Sequence, residues 1–158
     1  MAKAIVVYYS SSGNTAKMAQ AIAQGIEKQG LEVALKKVEE VKAADLLKYD
    51  AIVMGSPTYY GTMAAQLKGL LDESVVFHGK LDGKVGAAFS SSANIGGGNE
   101  TTILDIINAM LIHGMIVQGD PTGDHYGPVA IEKPDSRALK CCARLGERLG
   151  VLTKRLAK

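Results

Sequence analysis

Short apolar runs alternate with segments of helical periodicity along the whole chain, and this alternation is the feature that most constrains the fold. The run Ala4–Tyr9 is continuous, β-branched and aromatic, which is typical of a strand with both faces buried. Apolar residues then recur at helical spacing from Thr15 to Ile26, and Gly30 follows as a helix stop. Strands that alternate with helices form a parallel sheet with helices on both faces.

The same reasoning predicts five strands in all. The strands after the first are an edge-type strand at Leu31–Leu35, buried strands at Ala51–Gly55 and Lys84–Phe89, and a short strand at Met115–Val117. The later helices are a short one at Ala43–Leu47 and longer ones at Ala64–Leu71, Asn99–Ile112 and Leu139–Leu156. Right-handed crossovers favour the strand order 2-1-3-4-5. We therefore expect an α/β fold in a single domain over residues 1–158.

Composition and charge exclude several classes of protein. The 158 residues are 47% hydrophobic and 22% charged, near globular averages, which excludes a disordered, collagen-like or coiled-coil chain. A net charge of +2 provides no electrostatic footprint for nucleic acid or an anionic membrane. No apolar run reaches the roughly 18 residues of a membrane span. The first strand begins too early to leave room for a signal peptide, so we expect a cytoplasmic protein.

The cysteines and histidines indicate neither an ordinary disulfide nor a metal site. Cys141 and Cys142 are adjacent, and neighbouring residues of a helix point about 100° apart. The three histidines, at positions 78, 113 and 125, are too scattered for a zinc-binding pattern. We therefore predict that no metal is bound.

Three segments rich in small and hydroxyl residues follow the three strands nearest the point where the strand order reverses. They are Ser10–Thr15, Ser56–Gly61 and Ser90–Gly98. Ligands of open parallel sheets bind at this point, beyond the carboxyl ends of the strands. The agreement among the three segments predicts one ligand site more strongly than any segment alone. The Gly- and Pro-rich segment Gly119–Val129 is long enough to cover such a site.

The first segment, SSSGNT, precedes a helix whose free N–H groups and positive dipole end favour a phosphate. No Lys or Arg lies between Ala4 and Ala16, so hydrogen bonds and the dipole would hold the anion alone. The segment matches neither GxxxxGK[ST] nor GxGxxG. The alternative is an ordinary Ser or Asn helix cap.

The second and third segments favour a planar ligand. Tyr59 and Tyr60 come at a strand end and could stack on a ring, the alternative being a pair of tyrosines packed between helices. The triplet at 96–98 would let the backbone wrap a ligand edge, with Asn94 as an amide donor; the alternative is a flexible loop before the helix. The strand ends lack the acidic cluster of a receiver domain, and the first loop lacks the Cys and Arg of a low-molecular-weight phosphatase. The chain also has no GxSxG motif of a Ser-His-Asp hydrolase.

Taken together, the three segments resemble the flavin loops of a known family. The stretches YYSSSGNTAKMA, GSPTYYGTM, and FSS followed by GGGNET are similar to those of the flavodoxin-like NAD(P)H:quinone oxidoreductases of the tryptophan repressor-binding protein (WrbA) type. The likeness continues through Leu111–Met115 and Tyr126–Gly127, so it covers nearly the whole chain. It implies a flavodoxin-like three-layer sandwich, a five-stranded parallel sheet in the order 2-1-3-4-5, and FMN as the cofactor.

The resemblance implies a role for each loop. The first loop would hold the FMN phosphate, the second would border the isoalloxazine and ribityl chain, and the third would wrap the ring edge. The residues are Ser10, Ser11, Ser12, Gly13, Asn14 and Thr15; then Pro57, Thr58, Tyr59, Tyr60 and Gly61; then Ser91, Ser92, Ala93, Asn94, Ile95, Gly96 and Gly97, with Tyr126 beyond them. His113 matches a histidine that approaches the flavin of a neighbouring subunit and is the candidate catalytic residue. Its alternative role is that of a polar residue ending a helix before Gly114.

The chain also departs from the larger members of that family. The stretches Val38–Asp50 and Gly119–Tyr126 are shorter, the third loop is one residue longer, and no Trp is present to line a quinone pocket. FMN binding therefore carries over more securely than quinone reduction or assembly into a homodimer or homotetramer.

Three functions are compatible with these observations. The first is two-electron reduction of quinone-like small molecules by NAD(P)H, with the isoalloxazine supplying the chemistry. The second is a flavodoxin-type carrier that passes single electrons between redox proteins. Such carriers are usually strongly acidic, and the net charge of +2 argues against this second function. A protein that binds FMN for regulation or assembly is a third possibility.

Overall fold

The chain alternates strands and helices in the computed structural model, which describes residues 1–157. Within these residues the strands are β1 (Lys3–Tyr8), β2 (Glu32–Lys37), β3 (Ala51–Tyr59), β4 (Thr62–Met63), β5 (Val85–Ser92), β6 (Ile116–Val117) and β7 (Val129–Ile131). The α-helices are α1 (Asn14–Glu27), α2 (Ala65–Glu73), α3 (Asn99–Ile112) and α4 (Ser136–Leu156). Short 3₁₀ helices lie at Val38–Glu40, Ala43–Lys48 and Ser74–Phe77.

The sheet has the order β2-β1-β3-β5, and β6 and β7 share the position beyond β5. All these strands are parallel, whereas β4 folds back antiparallel on the end of β3. With β6 and β7 counted as one interrupted strand, the order is 2-1-3-4-5. The fold class predicted from the sequence is therefore confirmed.

The interrupted edge strand is where the prediction was incomplete. Ile116 pairs with Val85 and Val129 pairs with Ser90, so this edge advances 13 residues while β5 advances five. The excess residues leave the sheet as the loop 118–128. Gly and Pro in this segment masked the strand that follows it, and Val129 begins β7 instead of ending a loop.

The strands β3 and β5 are also longer than predicted. The sequence predicted that they end at Gly55 and Phe89, but Ser56 pairs with Ser90 and Pro57 pairs with Ser91. The Ser90 hydroxyl donates to the Ser56 carbonyl oxygen over 2.8 Å. Polar side chains can therefore continue these strands, because their hydrogen bonds are satisfied inside the protein.

Two apolar clusters sandwich the sheet. Ala4 and Val6 point toward α1 and α4, whereas Ile5 and Val7 point toward α2 and α3. This strict alternation follows from the period of two in a strand. The Phe89 ring packs directly on Gly55, where a Cβ would come within 2.0 Å of its Cζ atom. None of the helices described has the length and apolar character needed to span a bilayer.

The helices α1 and α4 touch through glycines. A Cβ on Gly146 would lie 2.2 Å from the Ile22 carbonyl oxygen, and one on Gly25 would lie 2.2 Å from the Ala143 carbonyl oxygen. Neither backbone can move away without shifting a whole helix. The missing side chains therefore set the distance between the two helices.

We expect Gly146→Ala to lower the free energy of unfolding by about 1–3 kcal/mol, because the added methyl group forces the helices apart. Gly69→Ala is the matched control, since Gly69 lies in α2 with open space around its Cβ position. It should raise the free energy of unfolding by up to about 1 kcal/mol through helix propensity. Urea denaturation measures both changes, and equal responses would contradict the close-contact interpretation.

Candidate functional site

A cleft opens at the carboxyl ends of β1, β3 and β5, with a volume of about 390 Å³. All three predicted segments contribute to its wall. The lining residues are Ser11, Ser12, Asn14, Pro57, Thr58, Tyr59, Ser91, Ser92, Ala93 and Glu132. Every one of them except Glu132 is among the predicted site residues. The volume lies within the range of small-molecule and cofactor sites.

The first loop is built around a left-handed glycine. Gly13 has φ 90° and precedes α1 without a side-chain cap. The Ser10 hydroxyl accepts hydrogen bonds from the N–H groups of Gly13 (3.1 Å) and Ala16 (3.3 Å), so it braces the loop from inside. The N–H groups of Asn14 and Thr15 belong to the first helical turn, where no intrahelical acceptor exists. No acidic residue lies in that turn, which leaves these donors suited to an anion.

The second loop is a two-residue hairpin turn. Tyr59 pairs with Thr62, and Tyr60 and Gly61 between them have φ 51° and 83°. Positive φ is costly for an aromatic residue, and such strain concentrates at functional sites. Tyr60 is fully exposed and Tyr59 is 40% exposed, so the two are not packed between helices. The Tyr59 and Ser11 hydroxyls share a hydrogen bond of 2.9 Å, which joins the second loop to the first.

The third loop begins inside the sheet. Ser91 and Ser92 are buried in β5, and the Ser92 hydroxyl donates to the Asn94 carbonyl oxygen over 2.9 Å. Beyond them the chain turns outward, and Ile95 is 90% exposed. Gly96 has φ 67°, and a Cβ on Gly97 would lie 2.7 Å from the Asn94 carbonyl oxygen. The tight turn therefore needs glycine at both positions.

The start of α3 connects the second and third loops. The Thr101 hydroxyl lies 2.6 Å from the Gly61 carbonyl oxygen, and a Cβ on Gly98 would lie 2.9 Å from the Gly61 Cα atom. The buried Thr102 hydroxyl donates to Thr58 Oγ1 over 2.9 Å, and Thr58 shares a 3.1 Å bond with Ser90. These bonds hold the two cleft walls at a fixed separation.

Thr15 has a similar bridging position. Its buried hydroxyl shares a 2.9 Å hydrogen bond with Ser91, across the sheet. Thr15 therefore ties the first loop to β5. A direct contact between its side chain and FMN stays a prediction.

Sequence reasoning missed two residues of the site. Thr102 could have been found, because it lies four residues after Gly98, at the spacing that returns a helical side chain to the helix start. Glu132 carried no comparable signal, since it follows the three-residue strand β7 that was not recognised.

The loop 118–128 lies against α4. Asp120 accepts hydrogen bonds from Arg144 Nε (2.6 Å) and Nη2 (3.0 Å), and Asp124 pairs with Arg137 at 2.7 Å. The Arg144 guanidinium lowers the pKa of Asp120 to about 2. No residue of the loop lines the cleft, and Tyr126 is half-exposed. Its contact with a cofactor stays a prediction.

His113 lies apart from the other predicted site residues. It follows the last residue of α3, about 20 Å along the helix from the cleft end. It is 7% exposed, and its Nε2 atom shares a 2.8 Å hydrogen bond with Ser74. Burial lowers its pKa, and the nearby ring of His78 lowers it further. The role of His113 at a neighbouring subunit's flavin stays a prediction.

Asp120→Asn should lower the free energy of unfolding at pH 7 by about 1–3 kcal/mol, because two charge-assisted hydrogen bonds lose their acceptor charge. The folded-state pKa of Asp120 is below its ordinary value of 3.8. Its stabilising effect is therefore complete above pH 4 and is lost as the pH falls toward 2.

The matched control is Asp72→Asn, which removes an exposed pair with Lys68 and should change stability by less than about 0.5 kcal/mol. Urea denaturation of both variants between pH 7 and pH 2.5 makes the comparison. A difference between wild type and Asp120→Asn that stays constant over this range would exclude the ion pair as its cause.

Comparisons with known proteins agree with this geometry. The family described as Flavodoxin matches residues 6–104. A protein named NAD(P)H dehydrogenase (quinone) from Sinorhizobium fredii is 44% identical over 143 residues, which cover 77% of this chain and 72% of that protein. A protein named flavodoxin from Aquifex aeolicus is 39% identical over 158 residues, covering 94% of this chain and 85% of that protein.

A solved structure of a flavodoxin has a similar fold. The flavodoxin, WrbA-like protein from Agrobacterium tumefaciens has a TM-score of 0.83 at 27% identity, and the match covers 98% of this chain and 99% of that one. The order of the strands, the position of the cleft and these likenesses have one conclusion in common: the chain belongs to the flavodoxin family.

Proposed function

We propose that this protein is an FMN-binding NAD(P)H:quinone oxidoreductase that reduces quinone-like small molecules by two electrons. FMN is the cofactor of the flavodoxin family. The observation that carries the proposal is the cleft, where polar residues of the first loop and the start of α1 share a wall with Tyr59 of the second loop and with Ser92 and Ala93 of the third.

The first loop suits the phosphate of FMN. The N–H groups of the first turn of α1 and the polar side chains of Ser12 and Asn14 supply donors. No Lys or Arg lines the cleft within residues 1–157, so the helix dipole and hydrogen bonds would hold the charge. Ser10 acts indirectly, because its hydroxyl fixes the backbone of the loop.

The other two loops suit a flat ring. Tyr59 is anchored by its hydrogen bond to Ser11, and the turn at Tyr60 and Gly61 is anchored by Thr101. The third loop lines the cleft with Ser91, Ser92 and Ala93, and its glycines Gly96 and Gly98 follow with positive φ. Bound FMN supplies the hydride and electron transfer chemistry, and these residues orient it.

The direction of electron flow is supported by the relatives. The Sinorhizobium fredii protein, 44% identical, is named NAD(P)H dehydrogenase (quinone). The substrates we propose are therefore NAD(P)H and a quinone. A cytoplasmic location stays a prediction from the sequence.

Anaerobic mixing of the FMN-loaded protein with NADH or NADPH should bleach the visible absorbance of the flavin, because the nucleotide reduces the bound cofactor. Addition of benzoquinone should restore it, because the reduced cofactor then returns two electrons. Loss of quinone and of NAD(P)H in equal amounts confirms the stoichiometry. If neither nucleotide bleaches the flavin, the enzyme proposal is wrong.

A one-electron carrier is the second candidate. The relative that favours it is the Aquifex aeolicus protein named flavodoxin, which matches 94% of this chain. A carrier receives its electrons from a protein partner and would leave NADH and NADPH untouched in the same experiment. The net charge of +2 gives this chain little electrostatic attraction for a basic partner.

Gly13→Ala should weaken FMN binding at least about tenfold, because a left-handed alanine disturbs the N–H donors of the phosphate loop. Gly30→Ala is the matched control. Both glycines have positive φ with open space at the Cβ position, but Gly30 follows the other end of α1.

Each substitution should lower the free energy of unfolding by about 1–2 kcal/mol, and only Gly13→Ala should change FMN affinity. Fluorescence titration of the apoprotein with FMN measures affinity, and urea denaturation measures stability. Equal affinities for both variants would remove the first loop from the site.

We also propose that the protein is a homodimer or homotetramer. Five exposed apolar side chains within three residues in sequence of His113 or its partner Ser74 support self-association: Val75, Val76, Leu111, Ile112 and Ile116. Light scattering should report a mass of two or four chains, and Ile112→Glu should reduce it to one. A wild-type protein that is monomeric at a concentration of about 50 μM would contradict this proposal.

A further inference from the structure

One charged side chain lines a cleft whose other lining residues are uncharged. Glu132 forms part of the wall together with Ser92 and Ala93, at the end of β7. The other lining residues are Ser, Thr, Asn, Pro, Tyr and Ala. Any ligand in the cleft therefore meets the negative charge of Glu132 with no compensating cation among the lining residues.

The backbone of Glu132 has a conformation that glutamate adopts at a cost. Its φ is 52°, in the left-handed region, where Gly and Asn are favoured. The Glu132 N–H group donates to the Ser92 carbonyl oxygen over 2.7 Å, which fixes this turn against β5. A strained residue at a cleft wall is the kind of outlier that motivates a functional interpretation.

Structural pairing does not explain why a glutamate is present. The charged loop residues Asp120 and Asp124 are both bound to arginines of α4. By contrast, no salt bridge or side-chain hydrogen bond involves the exposed Glu132 carboxylate within residues 1–157. Among the described residues no cation forms an ion pair with it, although Lys133 follows it in the chain.

We propose that Glu132 is a tuning residue that makes added negative charge in the cleft unfavourable, and so keeps the reduction potential of the bound flavin low. This inference rests on the proposed binding of FMN. The oxidised isoalloxazine ring is neutral, whereas the fully reduced ring carries a negative charge near neutral pH. A carboxylate at the wall of the same cleft destabilises the reduced form more than the oxidised form.

The consequence is a reduced flavin that gives up its electrons readily. A low potential favours transfer to a quinone, at the cost of a smaller driving force from NAD(P)H. The effect is electrostatic and the carboxylate is exposed, so added salt should weaken it.

The test compares the dissociation constants of the apoprotein for reduced and oxidised FMN, measured anaerobically, together with the reduction potential of the bound flavin. In Glu132→Gln the ratio of the reduced to the oxidised dissociation constant should fall at least about threefold, and the potential should rise. Glu132→Asn should change the ratio and the potential in the same direction, and Asn tolerates the positive φ at this position better than Gln. Glu132→Asp retains the charge and should stay near wild type.

Glu27→Gln is the matched control, because it makes the same change in net charge at the last residue of α1, away from the cleft end. Its ratio should equal that of wild type. The decrease in this ratio caused by Glu132→Gln should become smaller when the salt concentration rises about tenfold.

Two failures are distinguishable. An unchanged ratio in neutral Glu132 variants that still bind oxidised FMN would overturn this inference alone. A wild-type apoprotein that takes up no FMN would overturn the proposed function and this inference with it.

Discussion

The in-register pairing of β3 with β5 is the interaction on which the rest of the structure depends. Seven consecutive pairs, from Ala51 with Val85 to Pro57 with Ser91, bring both strands to the same edge of the sheet. The apolar half of each strand is enclosed by helices, and the hydroxyl half forms the floor of the cleft. A shift of one residue would reverse every side chain and place hydroxyl groups in the apolar core.

Hydroxyl groups fix the positions of the cleft walls, because each hydroxyl can donate one hydrogen bond and accept another. Thr102 donates to Thr58, and Ser90 donates to the Ser56 carbonyl oxygen, so the pair formed by Thr58 and Ser90 connects α3 to both strands. Thr15 and Ser91 make a similar bridge below the first loop. The walls are therefore set without charged groups, which leaves the electrostatics of the cleft to the helix dipole and to Glu132.

The sequence predicted the features that depend on local pattern. Buried β-branched runs, helical periodicity and glycine stops were sufficient for the strand order, and the composition of three loops located the cleft. It did not predict β7, because three residues after a Gly- and Pro-rich loop carry no periodicity. Glu132 was missed for the same reason. The bonds of Asp120 to Arg144 could not be foreseen either, since they join residues 24 apart on elements whose packing only the fold determines.

The interrupted edge strand has a consequence for the behaviour of the protein at high concentration. A long, flat edge strand presents a row of free backbone donors and acceptors to which a strand of another molecule can add. Here β6 offers two residues and β7 offers three, with the loop 118–128 standing between them. A foreign strand would meet no stretch long enough for stable pairing, so this border of the sheet is protected against aggregation by its own discontinuity.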